Sequence, residues 1–113
     1  MGIGTDQPDA KLTVKGNIHA LGLDLDMTNA LAPDYVFEKD YNLLPLSEVE
    51  AFINQNKHLP EVPSAKEMEA EGLNLKEMNL LLLKKVEELT LHVIHLNKNN
   101  SEMRSEIEKL KNK

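Results

Sequence analysis

Ser64 and Lys66 are a serine and a lysine close enough in sequence to suggest a serine nucleophile with a lysine base. Side chains two residues apart at a helix start point in different directions, and Ser64 also has the spacing to Glu67 that caps a helix. The chain has no cysteine, so thiol nucleophiles, thiolate zinc sites and disulfides are excluded. We therefore expect a protein that is not an enzyme.

Two further clusters have side chains that can bind metal ions. One superficially matches a calcium loop but lacks the glycine and the distal glutamate that such a loop requires: Asp24, Asp26, Thr28 and Asn29. The other is His92 and His95, which have no carboxylate or cysteine placed to complete a tetrahedral site. His58 lies at a predicted helix end, where histidine commonly complements the helix dipole. We expect neither a metal nor any other cofactor.

The charge is distributed unevenly along the 113 residues, whose net charge is -6. Residues 1–72 carry 5 Lys and 13 Asp or Glu, whereas residues 73–113 carry 8 Lys or Arg and 6 Glu. An acidic first part and a nearly balanced second part argue against a nucleic-acid partner, which requires a clustered basic face. No apolar run approaches the roughly 20 residues of a membrane span, so we expect no membrane insertion.

Strand-like patterns occupy the first third of the chain. The KLTVKG stretch alternates apolar and polar residues but has no evident partner strand nearby. In NIHALGLDLD the alternation of apolar and polar residues shifts by one position near Gly22, which predicts a bulge or tight bend. Residues 34–41, DYVFEKDY, form a further strand candidate.

Three helix starts follow, each with a side chain that can cap the backbone. In a capping box the first side chain accepts a hydrogen bond from the amide of the residue three positions later, and the side chain of that residue reaches back to the first amide. Gly72 is expected to end the second helix. The predicted cap pairs are Ser47 with Glu50, Ser64 with Glu67, and Asn74 with Glu77.

The third helix carries a heptad repeat sustained for four heptads, without Gly or Pro after Gly72. From Leu75 to Lys111 it would be roughly 55 Å long, too long to bury its apolar stripe against so small a head. We therefore predict an oligomer interface, with the alternative that the helix folds back on its own head. The interface residues are Leu82, Leu89, Leu96, Met103 and Leu110 at position d, and Val86, Val93, Asn100 and Ile107 at position a.

The number of chains is left open by the heptads. Valine at a, leucine at d and Asn100 at an a position favour a parallel dimer. Leu80, Leu81 and Leu83 widen the apolar stripe, which suits three helices or a head packed around the stalk. Glu106 at g and Lys111 at the following e can pair between parallel chains.

Three blocks of the sequence resemble the C-terminal region of tail-fibre and related surface-fibre proteins of bacteria and their phages. They cover most of the chain, and the middle block is the most specific. The first is similar to the closing member of a repeated GIGT...P...L.V.G element. The blocks are GIGTDQPDAKLTVKG, APDYVFEKDYNLLPLSEVEAFINQNKHLPEVPSAKEM and LNLKEMNLLLLKKVEELTLHVIHLNK.

The resemblance implies an elongated α+β homotrimer that caps a phage tail fibre or surface fibre outside the cell or on a virion. It implies three parts: β-strands intertwined between chains (1–32), a small helical head (33–73) and a parallel coiled-coil stalk (74–113). The implied partners are two further copies, the upstream fibre of the same protein and a bacterial surface receptor. A trimer is thus favoured over a dimer, and Met1 is expected to mark a cut rather than a natural start.

Two other functions are open alternatives. One is a receptor-binding fibre tip for host attachment, with contacts from Tyr35 and Tyr41. The other is a self-cleaving intramolecular chaperone, because domains of that type also end fibres in a helical stalk. Those domains carry a Ser-Asp motif, and this chain has no Ser-Asp dipeptide. That departure argues against autoproteolysis and leaves the trimerising role intact.

Overall fold

The computed structural model describes residues 1–28 and 31–112 and is elongated, with extents of 79 × 31 × 29 Å. Its elements in chain order are β1 (Gly2–Ile3), β2 (Thr13–Val14), a 3-10 helix (Pro33–Phe37), α1 (Leu46–Asn56), α2 (Ala65–Glu71) and α3 (Leu75–Lys111). The expected elongated shape and long C-terminal helix are confirmed, and α3 has the predicted bounds. No helix in the described ranges is long and apolar enough to cross a membrane.

The first strand has a partner in its own chain, contrary to our expectation. Thr13 and Val14 pair in parallel with Gly2 and Ile3, and the Thr13 amide donates to the Met1 carbonyl at 2.8 Å. The Thr13 hydroxyl closes the intervening loop by accepting from the Asp9 amide at 3.1 Å and donating to the Asp9 carboxylate. These side-chain bonds let a parallel pair form over a short connection, which periodicity along one strand does not predict.

The other two predicted strands are wrong. Residues 17–27 adopt no regular strand or helix, and residues 33–37 form a 3-10 helix. Pro33 occupies its first turn, where the missing amide hydrogen and fixed φ are tolerated. Val36 is turned inward and is 1% exposed, so packing against α3 overrides the strand preference of Tyr, Val and Phe.

Side-chain caps form at two of the three predicted helix starts. Ser64 and Glu67 form the full capping box, and the Asn74 side chain accepts from the Glu77 amide at 3.0 Å. Gly72 ends α2 with φ +78, where glycine has no steric penalty.

The box predicted between Ser47 and Glu50 is absent. Helix α1 begins earlier, at Leu46, because the Pro45 carbonyl accepts from the amides of Glu48 and Val49 at 3.0 Å. Ser47 is thus the second helical residue, and no side chain caps this start. A proline that precedes a helix by one residue moved the boundary away from the serine.

Candidate oligomer interface

The head (residues 33–73) packs on one face of the upper half of α3. Val36 of the 3-10 helix is the most buried residue of this contact, and Pro33 beside it is also buried. From Leu80 to His92, the half-buried or buried residues of α3 share heptad positions b, c, f and g: Leu80, Leu81, Lys84, Lys85, Glu87, Glu88, Leu91 and His92. The head therefore covers the face away from positions a and d.

Polar contacts fix the head to this face. The Tyr41 hydroxyl donates to the Glu88 carboxylate at 2.6 Å. Glu61 accepts from Lys84 at 2.6 Å and from Lys85 at 3.0 Å. The two lysine side chains are each 15% exposed and the Glu61 side chain is 50% exposed, so the shared carboxylate is a partly screened ion-pair network and not a buried one.

The raised pKa values of Tyr41 and Lys84 agree with a fixed contact between the head and α3. Burial, and after it the hydrogen bond to Glu88, raise the pKa of Tyr41 to about 12. Partial burial lowers the pKa of Lys84, but the hydrogen bond and charge of Glu61 outweigh it and bring the value to about 12. The neutral phenol and the charged ammonium are therefore the forms that hold the head on the stalk.

Glu87 is the exception, a carboxylate placed against another acid. It is 9% exposed, and one of its carboxylate oxygens has no hydrogen-bond partner. Burial raises the pKa of Glu87, and so do the charge and hydrogen bond of Asp34. This pair opposes docking of the head at neutral pH, and nothing in the heptad pattern identifies it, because position b is ordinarily solvent-exposed.

The opposite face of α3 is apolar and open. We call its a and d residues the seam, comprising the nine interface residues predicted from the heptads. The eight apolar members are between 48% and 67% exposed, and Asn100 is also exposed. They are Leu82, Val86, Leu89, Val93, Leu96, Met103, Ile107 and Leu110. The structure brings the predicted residues onto one continuous face, and no described residue covers it.

Beyond His92 the helix has no support from the head. Every residue from 93 to 112 is exposed, so this part of α3 extends from the head as a single helix. Isolated helices gain little stability in water, and most helical stability in proteins comes from packing an apolar face. Lys109 and Lys111 complement the dipole of the last turn, but their contribution is small beside that of a buried seam.

A groove lies between the head and the flank of the seam. We call it the head–stalk groove; its apolar lining comes from Leu43, Leu44, Val49, Leu59 and Pro60 of the head and from Leu89 of α3. His92 and the charged residues Glu61, Lys85 and Glu88 complete the lining. Its volume is about 120 Å³. A second hollow continues it along α3, sharing Leu43 and His92 and adding Leu46 and Leu96. Sequence reasoning missed this groove, because its head residues are not periodic.

The serine and acidic candidates have structural partners. Ser64 exchanges hydrogen bonds with Glu67, which accounts for its hydroxyl. Asp26 accepts from the Thr28 hydroxyl and from the Thr28 amide, the latter at 2.8 Å, and these two hydrogen bonds, the hydroxyl one first, lower the pKa of Asp26. Asn29, named with them, lies outside the described residues. Among residues 1–28 and 31–112, no group of three or more acidic or histidine side chains is placed to hold a metal ion.

The two tyrosines proposed for receptor contact differ in availability. Tyr41 is half-buried and its hydroxyl binds Glu88. Tyr35 is exposed and packs 5.9 Å from the Tyr41 ring, with the Lys84 ammonium 5.7 Å from its centroid. Both rings thus contribute to the head–stalk contact, and a receptor hypothesis rests on the outer surface of Tyr35.

In comparisons with known proteins, no family model matched the chain, and no curated protein or solved structure matched it. The chain's own geometry consists of a head fixed to one face of a long helix and an apolar seam left open on the other.

Proposed function

We propose that the chain is a non-enzymatic trimerisation module in which the seams of three parallel copies pack together below and between their heads. The observation that carries the proposal is the open seam on the face that the head leaves uncovered. Exposed apolar stripes of this length are characteristic of interaction surfaces. Packing them in a coiled coil removes them from water without displacing the head, because the two use different faces of α3.

Three chains are favoured over two by the width of the open face. Leu83, at position e, is 46% exposed and adds to the seam beside Leu82 and Val86. A wider apolar stripe is buried more completely among three helices than between two. Asn100 at an a position then sets the register of the chains. The resemblance to fibre proteins supports the same number.

The N-terminal segment supplies the second part of the proposal. Ile18, Leu21 and Leu23 are exposed in a stretch without regular structure. We infer that residues 1–32 join an intertwined fibre, in which neighbouring copies and upstream chain cover these side chains. The stalk then associates first, because a local helical contact is simpler to form than a three-chain search over strands. On this basis the protein caps an extracellular or virion fibre.

Molar mass of the full chain in solution tests the proposal. We expect three chains by size-exclusion chromatography with light scattering. Val93→Glu places three like charges in the seam and should yield monomers. Ser105→Glu adds the same charge at the outer f position and should remain trimeric. A wild-type chain that is monomeric at 100 µM, or a Val93→Glu variant with unchanged mass, would contradict the proposal.

A further inference from the structure

The head–stalk groove adjoins the seam rather than standing apart from it. Leu89 lines the groove, and Leu96 lines the hollow that continues it; both are d residues of the seam, and His92 between them is a g residue. Any second helix that packs on the seam must therefore lie beside the groove. On the head side, Leu43 and Leu44 of the groove and Leu46 of the continuing hollow extend the apolar contact outward from the seam.

The flank that meets the groove follows from coiled-coil geometry. In parallel, in-register helices the g side of one chain faces the e side of the next. Position b lies next to e on the helix circumference. At the level of the groove the neighbour's e and b flank presents Thr90, Ile94 and Asn97. Ile94 is the aliphatic member of this set, and it is 43% exposed in its own chain.

Ile94 has no role in the seam and no cover from its own head. It lies at position b, which is polar in a helix that contacts partners only through a and d. A cavity of about 150 Å³ lined by aliphatic residues holds benzene, so a groove of about 120 Å³ can hold a branched aliphatic side chain. An apolar flank residue and an apolar flank groove at the same height are complementary.

We propose that Ile94 of each chain occupies the head–stalk groove of the neighbouring copy. This inference rests on the proposed parallel oligomer and adds a contact that fixes the register of its chains. Each chain then gives one isoleucine and receives one, and this head-to-tail contact closes on itself in a three-fold ring. The head thereby holds the next chain's stalk in parallel register, since in an antiparallel pair Ile94 would lie away from the groove.

Disulfide trapping tests this contact in the full chain, which contains no cysteine. The double variant Val49→Cys with Ile94→Cys, which places one cysteine in the groove, is mildly oxidised and analysed by non-reducing denaturing electrophoresis and intact mass. We expect covalent species up to three chains. Ile53→Cys with Ile94→Cys is the matched control, because Ile53 is exposed on the same helix α1 and does not line the groove. It should stay single-chain under the same oxidation.

The outcomes separate this inference from the proposed function. A native mass of three chains with no covalent species, or with only an intrachain disulfide, overturns the groove contact and leaves the trimer intact. A monomeric native mass overturns both. In an independent measurement, Ile94→Ser should keep the trimer but speed subunit exchange about thirtyfold, because a leaving chain loses both the isoleucine contact that it gives and the one that it receives. Unchanged exchange would overturn the contact.

Discussion

The substitution Ile107→Ala tests burial of the seam without affecting the head. Ile107 is an a residue, 51% exposed, and lies about four turns below the last α3 residue that the head covers, His92. Truncating it cannot disturb the polar contacts of Tyr41, Glu61 and Lys84, which lie near the top of the helix. Any change in association therefore reports on the seam alone.

The size of the effect follows from the exposed fraction. Isoleucine loses three carbons on truncation to alanine, worth about 2.4 kcal/mol when fully transferred from water. With 51% of the side chain still available for burial, about 1.2 kcal/mol is lost per chain and about 3.7 kcal/mol per trimer. The trimer dissociation constant then rises roughly 500-fold. Because that constant scales as concentration squared, the midpoint concentration rises roughly 20-fold.

Sedimentation equilibrium across a dilution series measures that midpoint. Ser105→Ala is the matched control, since it lies two residues away at the outer f position and improves helix propensity slightly. We expect Ser105→Ala to associate like the wild type. A midpoint for Ile107→Ala within twofold of the wild type would refute burial of Ile107 and, with it, packing of the seam near the C-terminal end of α3.

The remaining predictions concern the head. Tyr41→Phe removes the hydrogen bond to Glu88 and should cost about 1–2 kcal/mol in the free energy of unfolding at pH 7, measured by urea titration; an unchanged midpoint would contradict a stabilising bond. Because the pKa of Tyr41 is raised to about 12, its stabilisation is complete below pH 10 and is lost as pH rises through 12. Near-ultraviolet circular dichroism should show this loss in the wild type and a smaller one in Tyr41→Phe. Glu87→Gln should raise the melting temperature at pH 7 and lose that advantage near pH 4, because burial and Asp34 raise the pKa of Glu87 and favour its protonated form; equal gains at both pH values would exclude a charge effect. Ser64→Ala should cost about 1 kcal/mol and speed amide exchange in α2, and unchanged exchange would show that the capping box is dispensable.

Predictions that depend on neighbouring residues in the sequence agreed with the structure, except for the cap at Ser47. Helix α3 extends over the predicted residues because heptad periodicity and the Asn74 cap act within one helix. Gly72 ends α2 and Ser64 begins it for the same reason, since each acts through backbone groups within four residues. The Ser47 cap failed because two start signals compete, and Pro45 moved the boundary.

Predictions that depend on contacts between segments far apart in the sequence agreed less well with the structure. Residues 34–41 have strand propensity, but burial of Val36 against α3 produces a 3-10 helix. The pairing of Thr13 with Gly2 depends on side-chain bonds that close a loop, which alternation along one strand does not reveal. The groove depends on α1, a loop and α3 meeting, so no local pattern contains it.

Periodicity along the chain is sufficient to predict a long helix whose a and d residues form one apolar stripe, because helical period is a local property. The face of that helix on which the head lies depends on contacts between segments far apart in the sequence. Tyr41, Glu61 and Val36 come from separate segments and converge on positions b, c, f and g. Their convergence leaves the seam exposed, and it also builds the groove beside that seam. The difference arises because contacts between distant segments are set by packing and charge pairing, which spacing along the chain does not encode.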